Sequence, residues 1–457
     1  MRVFFAVVVM AASFPVAAQK ETPPPGGPPK PFHLPKTEDF TLPNGMKVTI
    51  VPFGVVPRTA VRACVEAGGA NEAGNQVWLS RLTGLLMKEG TTSQSSEQLA
   101  QEAADMGGQL EIDAGAEETI AGGVVLSEFA PKFIGLVADA LRNPAFPASQ
   151  LPRLKADLGR ELAIAKSQPG GLARERFFQV LFPDSPYGRS FPSESGLQSY
   201  TLENVQAFYK NNFGAARTHL YVAGRLEGDL RGVIRTAFED WPKGPDPQAV
   251  GAEMAKARSL SLIDRPDAAQ STLYIGVPVA SPASPDYVTL DVMNSLLGGS
   301  FASRITSNIR EQKGYTYSPR SQIGTHKGLA WWVEIADVTT AVTGPSLKEI
   351  FYEVDRVRKD PPSEQELQGI QNYLSGLFVL KNTVSPDALI GQLRFVDSQG
   401  LSRSFLSSYV TKVAAVKPAD IQRVAESYIT PDKMAIVVVG DKAKIANQLG
   451  PYETVAQ

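Results

Sequence analysis

The segment Trp78-Leu-Ser-Arg-Leu-Thr-Gly-Leu-Leu-Met-Lys-Glu-Gly-Thr91 has the pattern of an amphipathic helix that stops at a Gly-Thr pair. Trp78, Leu82, Leu85 and Leu86 fall at helical spacing and form one apolar stripe. Glycine inside a helix costs about 1 kcal/mol relative to alanine, so Gly84 needs a reason, either close packing or a side chain that has been lost. Upstream, Phe40-Thr-Leu-Pro-Asn-Gly-Met-Lys-Val-Thr-Ile-Val51 alternates around Asn44-Gly45, a strong hairpin signal. A strand over residues 60–67 and the turn Gly68-Gly-Ala-Asn-Glu72 join that hairpin to the helix. This order of elements indicates a sheet backed by helices.

The same arrangement recurs at a spacing of 216 positions, the distance from Leu151 to Leu367. Leu151, Leu154 and Leu158 correspond to Leu367, Ile370 and Leu374, each trio at helical spacing. Val205-Gln206 corresponds to Ile421-Gln422, and Gly224 to Gly440. In each copy a helix leads into an apolar strand, His219-Leu-Tyr-Val-Ala-Gly in the first and Met434-Ala-Ile-Val-Val-Val-Gly in the second. A phase held across separated segments indicates duplication. Trp241-Pro-Lys-Gly-Pro-Asp-Pro-Gln is the Pro/Gly-rich boundary between the copies. The expected organisation is α+β: a first domain over 37–242, a linker over 243–256 that permits hinging, and a second domain over 257–457.

At 457 residues the chain exceeds one ordinary core, in keeping with two such domains. A composition of 43% hydrophobic and 20% charged residues is globular, and a net charge of -2 gives no reason to expect nucleic acid or an acidic membrane surface. Arg2, the apolar run from Val3 to Met10 and the small residues Val16-Ala17-Ala18 read as a secretory leader over 1–18, cut after Ala18. Residues 19–36 form a proline-dense tether without the apolar content to pack. No later run is long enough to span a bilayer, so the expected location is the periplasm or the exterior. Cys64 is the sole cysteine, flanked by Val61, Ala63 and Val65, and reads as an inert buried thiol.

The Leu-Pro-Asn-Gly hairpin, the Gly68–Glu72 turn, the helix into Glu89-Gly-Thr91 and the helix containing Arg160-Glu161 together resemble the first domain of M16 (pitrilysin-type) zinc peptidases. That family carries an inverted zinc motif, His-x-x-Glu-His, shortly before a Gly-Thr pair. In this register the histidine positions fall on Arg81 and Leu85, the catalytic glutamate on Gly84, and the third ligand on Glu161. A guanidinium cannot ligate zinc, leucine has no donor atom, and glycine cannot act as a base. Glu161 then reads as a solvated or ion-paired residue, with Arg81 as its partner. The three histidines, His33, His219 and His326, are scattered and form no helical pair, so they read as ordinary surface or core residues. The resemblance implies no metal or other cofactor in this chain, with zinc held by a partner.

A second motif lies in the other half: Leu296-Leu-Gly-Gly-Ser-Phe-Ala-Ser-Arg-Ile-Thr-Ser-Asn-Ile-Arg-Glu-Gln-Lys-Gly-Tyr-Thr-Tyr-Ser318. It resembles the M16 segment whose arginine and tyrosine reach into the cleft, here Arg310 and Tyr317. Both side chains can donate hydrogen bonds to a developing oxyanion. Gly298, Gly299, Ser300 and Phe301 give backbone room and N–H donors for an extended peptide. Tyr315 is expected to pack in the sheet. The resemblance covers residues 37–445 and implies two homologous M16-type (LuxS/MPP-like) α/β sandwich domains forming half of a clamshell.

It further implies a non-catalytic subunit that binds peptide and supplies Arg310 and Tyr317 in trans to a zinc-bearing M16 chain, with no nucleic acid and no membrane span. Two other readings are a peptide-binding scaffold without proteolytic role and an autonomous peptidase with an unconventional site. No Ser/His/Asp or Cys/His constellation supports the last.

Overall fold

The computed structural model describes residues 32–248, 250–255 and 257–452. The expected leader and the tether up to residue 31 lie outside them. The first half contributes strands β1 (Glu38–Thr41), β2 (Lys47–Pro52), β3 (Arg58–Val65), β4 (Glu111–Ala114), β5 (Thr119–Leu126) and β6 (Thr218–Gly224), in sheet order β1-β2-β6-β3-β5-β4. The second contributes β7 (Ser259–Asp264), β8 (Gln270–Val279), β9 (Arg320–His326), β10 (Leu329–Thr339) and β11 (Ala435–Gly440), in order β7-β11-β8-β10-β9. Apart from β1, the two orders are the same. In both sheets one parallel pair joins the second-outermost position, with Pro52 opposite Gly224 in one and Asp264 opposite Gly440 in the other. The repeat spacing read from the sequence therefore corresponds to two copies of one α/β sandwich, and together they form the half-clamshell.

The hairpin β1–β2 closes through Leu42 and Met46, and the Asn44 amide donates to the carbonyls of Phe238, Glu239 and Trp241. That side chain thereby satisfies the open carbonyl end of the helix Leu230–Phe238. The strand expected over 60–67 begins and ends two residues earlier, at Arg58 and Val65.

Strand sequences show why both faces of each sheet are buried. In β10, Trp331, Val333 and Ile335 point to one apolar cluster, while Ala330, Trp332, Ala336 and Val338 point to another. Side chains alternate across a strand, so a run apolar at every position needs cover on both sides. The sheets obtain this cover by exchange. The first-half helix Pro169–Leu181 lies on the second sheet, where Ala173, Phe177 and Leu181 pack with Trp331, Val437 and Val439. The second-half helix Pro386–Ser398 lies on the first sheet, where Leu389, Ile390 and Leu393 share a cluster with Ala60, Cys64, Tyr221 and Ala223. Gly276 shows how close the approach is: a Cβ there would sit 2.6 Å from Phe177 Cζ.

Polar contacts follow the same exchange. Arg62 on β3 bonds Asp387 of the crossing helix at 2.8 Å and Glu111 at 2.7 Å. The Tyr221 hydroxyl donates to Asp397 at 2.8 Å, and Arg403 reaches Asp39, Thr37 and Thr49. Cys64 is buried, free and on this covered face, and burial pushes its thiol pKa well up.

Two expectations for the connecting segments need correction. Phe32 and Leu34, within the tether, pack on the second-half core, with the Phe32 ring edge-on to Phe378 at 5.5 Å. These two apolar side chains seat the described end of the tether, from residue 32 onward. The linker is also stitched down: Ala215 N–H donates to Pro242, Ala216 N–H to Lys243 and Ala255 N–H to Leu181, while Val250, Ala252 and Met254 pack against the exchanged helix cluster. Among the described residues the linker is thus held against the first half and the exchanged helix at both of its ends.

Candidate functional site

The helix Leu79–Met87 starts from an unusual backbone. Trp78 adopts a left-handed conformation, φ 71° and ψ 10°, which costs a bulky residue energy that its surroundings must offset. Glu72 provides much of the offset. Its carboxylate accepts from Trp78 N–H at 3.0 Å, Ser80 N–H at 2.8 Å and the Ser80 hydroxyl at 2.6 Å. A carboxyl group at a helix N-terminus satisfies orphan backbone donors there. The indole N–H donates to Ser190 at 3.0 Å and the ring packs edge-on to Phe191.

Burial pushes the Glu72 carboxyl up to about 7 from an ordinary 4.5, even though the Ser80 and Trp78 donors pull the other way. A raised acid value means the unfolded chain ionises first. The contribution to stability is therefore complete below pH 4.5 and is lost as the pH rises through about 7. We expect the urea midpoint of the native chain to fall relative to Glu72→Gln between those two pH values. A constant difference across that window would show that the carboxylate is not desolvated.

On this helix Leu79, Leu82 and Leu86 face the core, while Arg81 and Leu85 face a small cavity of about 410 Å³ that Glu161 also lines. Arg81 Nη2 donates to both Glu161 oxygens, at 2.8 and 2.9 Å, and its guanidinium lies 4.5 Å from the centre of the Trp78 ring. Both partners are partly exposed, so the pair contributes about 0–1 kcal/mol to stability and serves to position the two groups. Gly84 is buried against Ile112 of β4, with a Cβ position 3.6 Å from Ile112 Cγ2. Three of the four degenerate positions thus converge on one place, and the fourth packs behind them.

This donor set does not fit a zinc ion: one carboxylate, already bonded to a guanidinium, faces an aliphatic side chain. Among the described residues no group of three His, Cys, Asp or Glu side chains is placed to hold a metal. His33 is exposed in the lead-in. His219 lies 2.9 Å from both the Thr49 and Tyr221 hydroxyls, and burial lowers its pKa to about 4. His326 ends β9 and stacks on Tyr187 with ring centres 3.9 Å apart. That position is neither ordinary surface nor core, because His326 lines the large cavity between the halves.

The second-half motif is built on two π-helical segments, Ser295–Gly299 and Thr306–Gln312, a winding often found at functional positions. The Arg310 guanidinium sits between the rings of Phe301 and Tyr317, 4.6 and 4.9 Å from their centres, with Glu311 at 3.2 Å. Phe301 is 67% and Tyr317 80% exposed, so both rings project outward, with the half-buried Arg310 side chain held between them. Beneath it, a Cβ at Gly298 would lie 2.6 Å from Glu334 Oε2, and one at Gly299 2.6 Å from Asn294 Nδ2. Glu334 is fully buried without a well-formed hydrogen bond, with only the Arg320 backbone N–H turned toward it, and burial holds its pKa well up. Ser300 is buried and Tyr315 packs against the second-half core.

The cavity between the two halves measures about 930 Å³. Arg81 and Glu161 are in its wall, whereas Arg310, Tyr317 and residues 298–301 are not. Two motifs of one chain therefore face different spaces. The arginines and aromatics of the wall, from Pro169–Leu181, β8 and β9, went unrecognised in the sequence. They are far apart in the chain and share no spacing rule; only the Phe177-Phe178 pair hinted at an aromatic surface.

A family model described as Insulinase (Peptidase family M16) matches residues 55–191, and one described as Peptidase M16 inactive domain matches residues 199–374. Together these span roughly two thirds of the chain. A protein of Rickettsia felis named an uncharacterized zinc protease is 23% identical over 354 residues, covering 75% of this chain and 84% of that one. Another of that description, from Streptomyces coelicolor, is 22% identical over 422 residues, covering 90% and 91%. The crystal structure of a peptidase M16 inactive domain from Pseudomonas fluorescens superposes with a TM-score of 0.81 at 23% identity, over 92% of this chain and 99% of that one. A protease structure from Helicobacter pylori superposes with a TM-score of 0.82 at 19% identity, over 89% and 100%.

Proposed function

This chain belongs to peptidase family M16, and on that premise we propose that it is an exported, non-catalytic subunit of an M16 metallopeptidase. In this reading it binds peptide and presents Arg310 and Tyr317 to the zinc site of a separate partner chain. The observation that carries the reading is the Arg81–Glu161 pair at 2.8 Å, a cation supplied by the chain itself where a metal ligand set would be. The outward projection of the Phe301 and Tyr317 rings, with the Arg310 guanidinium between them, supports the second half of the reading, since a phenol and a guanidinium at the surface are available to another molecule. In that role a guanidinium and a phenol would both donate to an oxyanion developing on the partner's substrate. Zinc, when held by the partner, supplies Lewis acidity; this chain's residues bind, orient and stabilise charge.

Export rests on the leader read over 1–18. No helix among the described residues is long and apolar enough to cross a membrane.

The purified chain, dialysed against zinc and analysed by atomic emission, should contain well under one zinc per chain and cleave no peptide alone. One tightly held zinc per chain, or turnover without a partner, would overturn the proposal.

A further inference from the structure

The wall of the cavity between the two sheets carries four arginines, Arg81, Arg174, Arg189 and Arg320, against two carboxylates, Glu72 and Glu161. Both carboxylates are already satisfied. Glu72 accepts three hydrogen bonds at the start of the Leu79–Met87 helix, and Glu161 is bonded to Arg81. Arg189 donates only to the Glu72 backbone carbonyl, at 3.3 Å. Arg174 touches the Phe178 ring, 5.7 Å from its centre, and neither it nor Arg320 forms an ion pair at contact distance among the described residues, although Arg320 lies in the field of the buried Glu334 and Asp337 lies near Tyr274. These two guanidiniums come from different halves, one from Pro169–Leu181 and the other from β9. Both flank the half-buried phenol of Tyr274, whose pKa they draw down against burial. The Tyr274 hydroxyl also has no hydrogen-bond partner among the described residues.

Around these groups the wall is aromatic, with Phe177, Phe178, Phe191, Tyr187, Trp331 and His326. Its floor is one face of the second sheet, with Arg320, Gln322 and Gly324 of β9 beside Trp331, Val333 and Ile335 of β10, and β9 is an end strand whose far side pairs with no strand among the described residues. An unpaired strand edge suits an extended polypeptide. Guanidiniums in excess of carboxylates suit an acidic one, because planar donors match a carboxylate two at a time. Aromatic faces supply contact area for apolar side chains between the acidic ones.

We propose that this cavity is a binding subsite for acidic peptide segments that also carry aromatic residues, with Arg174 and Arg320 as the carboxylate-recognising pair. The proposal rests on the peptide-binding part of the function above and names the class of peptide; it does not depend on Arg310 or on a zinc-bearing partner.

The test uses the full mature chain and two fluorescein-labelled ten-residue peptides of equal aromatic content, one rich in glutamate and one in which lysine replaces glutamate. Binding is read by anisotropy at about physiological salt. The native chain should bind the glutamate peptide at least about tenfold more tightly. Arg174→Glu combined with Arg320→Glu, both at exposed positions, should abolish or invert that preference, and the paired lysine variants should keep its sign. Equal or tighter binding of the lysine peptide, or a charge-reversed variant with unchanged preference, overturns the proposal. Tighter binding of a ten-residue oligodeoxythymidine would do the same, since it would show a general polyanion surface. If neither peptide binds, both this subsite and the peptide-binding reading fail. If the preference holds while an Arg310 variant leaves a reconstituted peptidase untouched, only the division of catalytic labour fails.

Discussion

On the proposed function, replacing Arg310 by alanine should lower the turnover of the peptidase reconstituted with its zinc-bearing partner about 10²–10³-fold, the usual loss when one donor to an oxyanion is removed. The expected effect is on kcat, because a developing negative charge exists only in the transition state. The fold should not register the change. Arg310 is stacked between two largely exposed rings and ion-paired only with its neighbour Glu311, and surface substitutions of this kind usually stay within about 0.5 kcal/mol. Tyr317→Phe retains the ring over the guanidinium and removes only the hydroxyl, so it separates the donor from the stack. Arg310→Lys keeps the charge but loses the planar fork, and should fall between native and alanine. Zinc content of the partner, measured alongside, must stay constant for the loss to be assigned to this chain. Unchanged turnover in all three variants would favour a scaffold without proteolytic role.

The second large effect concerns stability. Phe177→Ala should destabilise the chain by about 3–5 kcal/mol, the range for deleting a buried aromatic ring. Phe177 is 1% exposed, yet it belongs to a first-half helix and is buried on the second-half sheet. It packs with Phe178 and Tyr274 at ring distances of 5.6 and 5.8 Å and fills the space left by Gly276. That site has little room to collapse, because strands β8, β10 and β11 are fixed by their ladders. Urea unfolding followed by tryptophan fluorescence measures the loss. Trp332 and Trp331 report the second half, while Trp78 and Trp241 report the first. Both sets should shift to lower denaturant together. A shift of less than about 1 kcal/mol would mean that the exchanged helix is peripheral to the fold.

The sequence made the duplication legible because strand-ending Gly224 and Gly440 and the preceding helices kept their phase across both copies. Periodicity identifies which side of a helix is apolar, but not which sheet that side covers. Pro169–Leu181 and Pro386–Ser398 are ordinary amphipathic helices by pattern, and only the tertiary structure reveals that they change places. The degenerate positions Arg81 and Leu85 could be located because the resemblance to the M16 motif supplies a register counted back from Gly90-Thr91, and Glu161 because it falls where that resemblance implies a third ligand; in the fold the three line one cavity. Arg174, Arg189 and Arg320 obey no such local rule, since they come from a helix, a loop and an edge strand brought together by folding. Glu72 was visible only as part of a turn. Its burial, and the left-handed Trp78 that it holds, depend on a long-range environment that no short window contains.

The traded helices have an architectural consequence. Excising either repeat would strip a neighbour of its lid and leave a greasy sheet bare to water, so neither is a self-sufficient building block. The polypeptide is one jaw, not a pair of them.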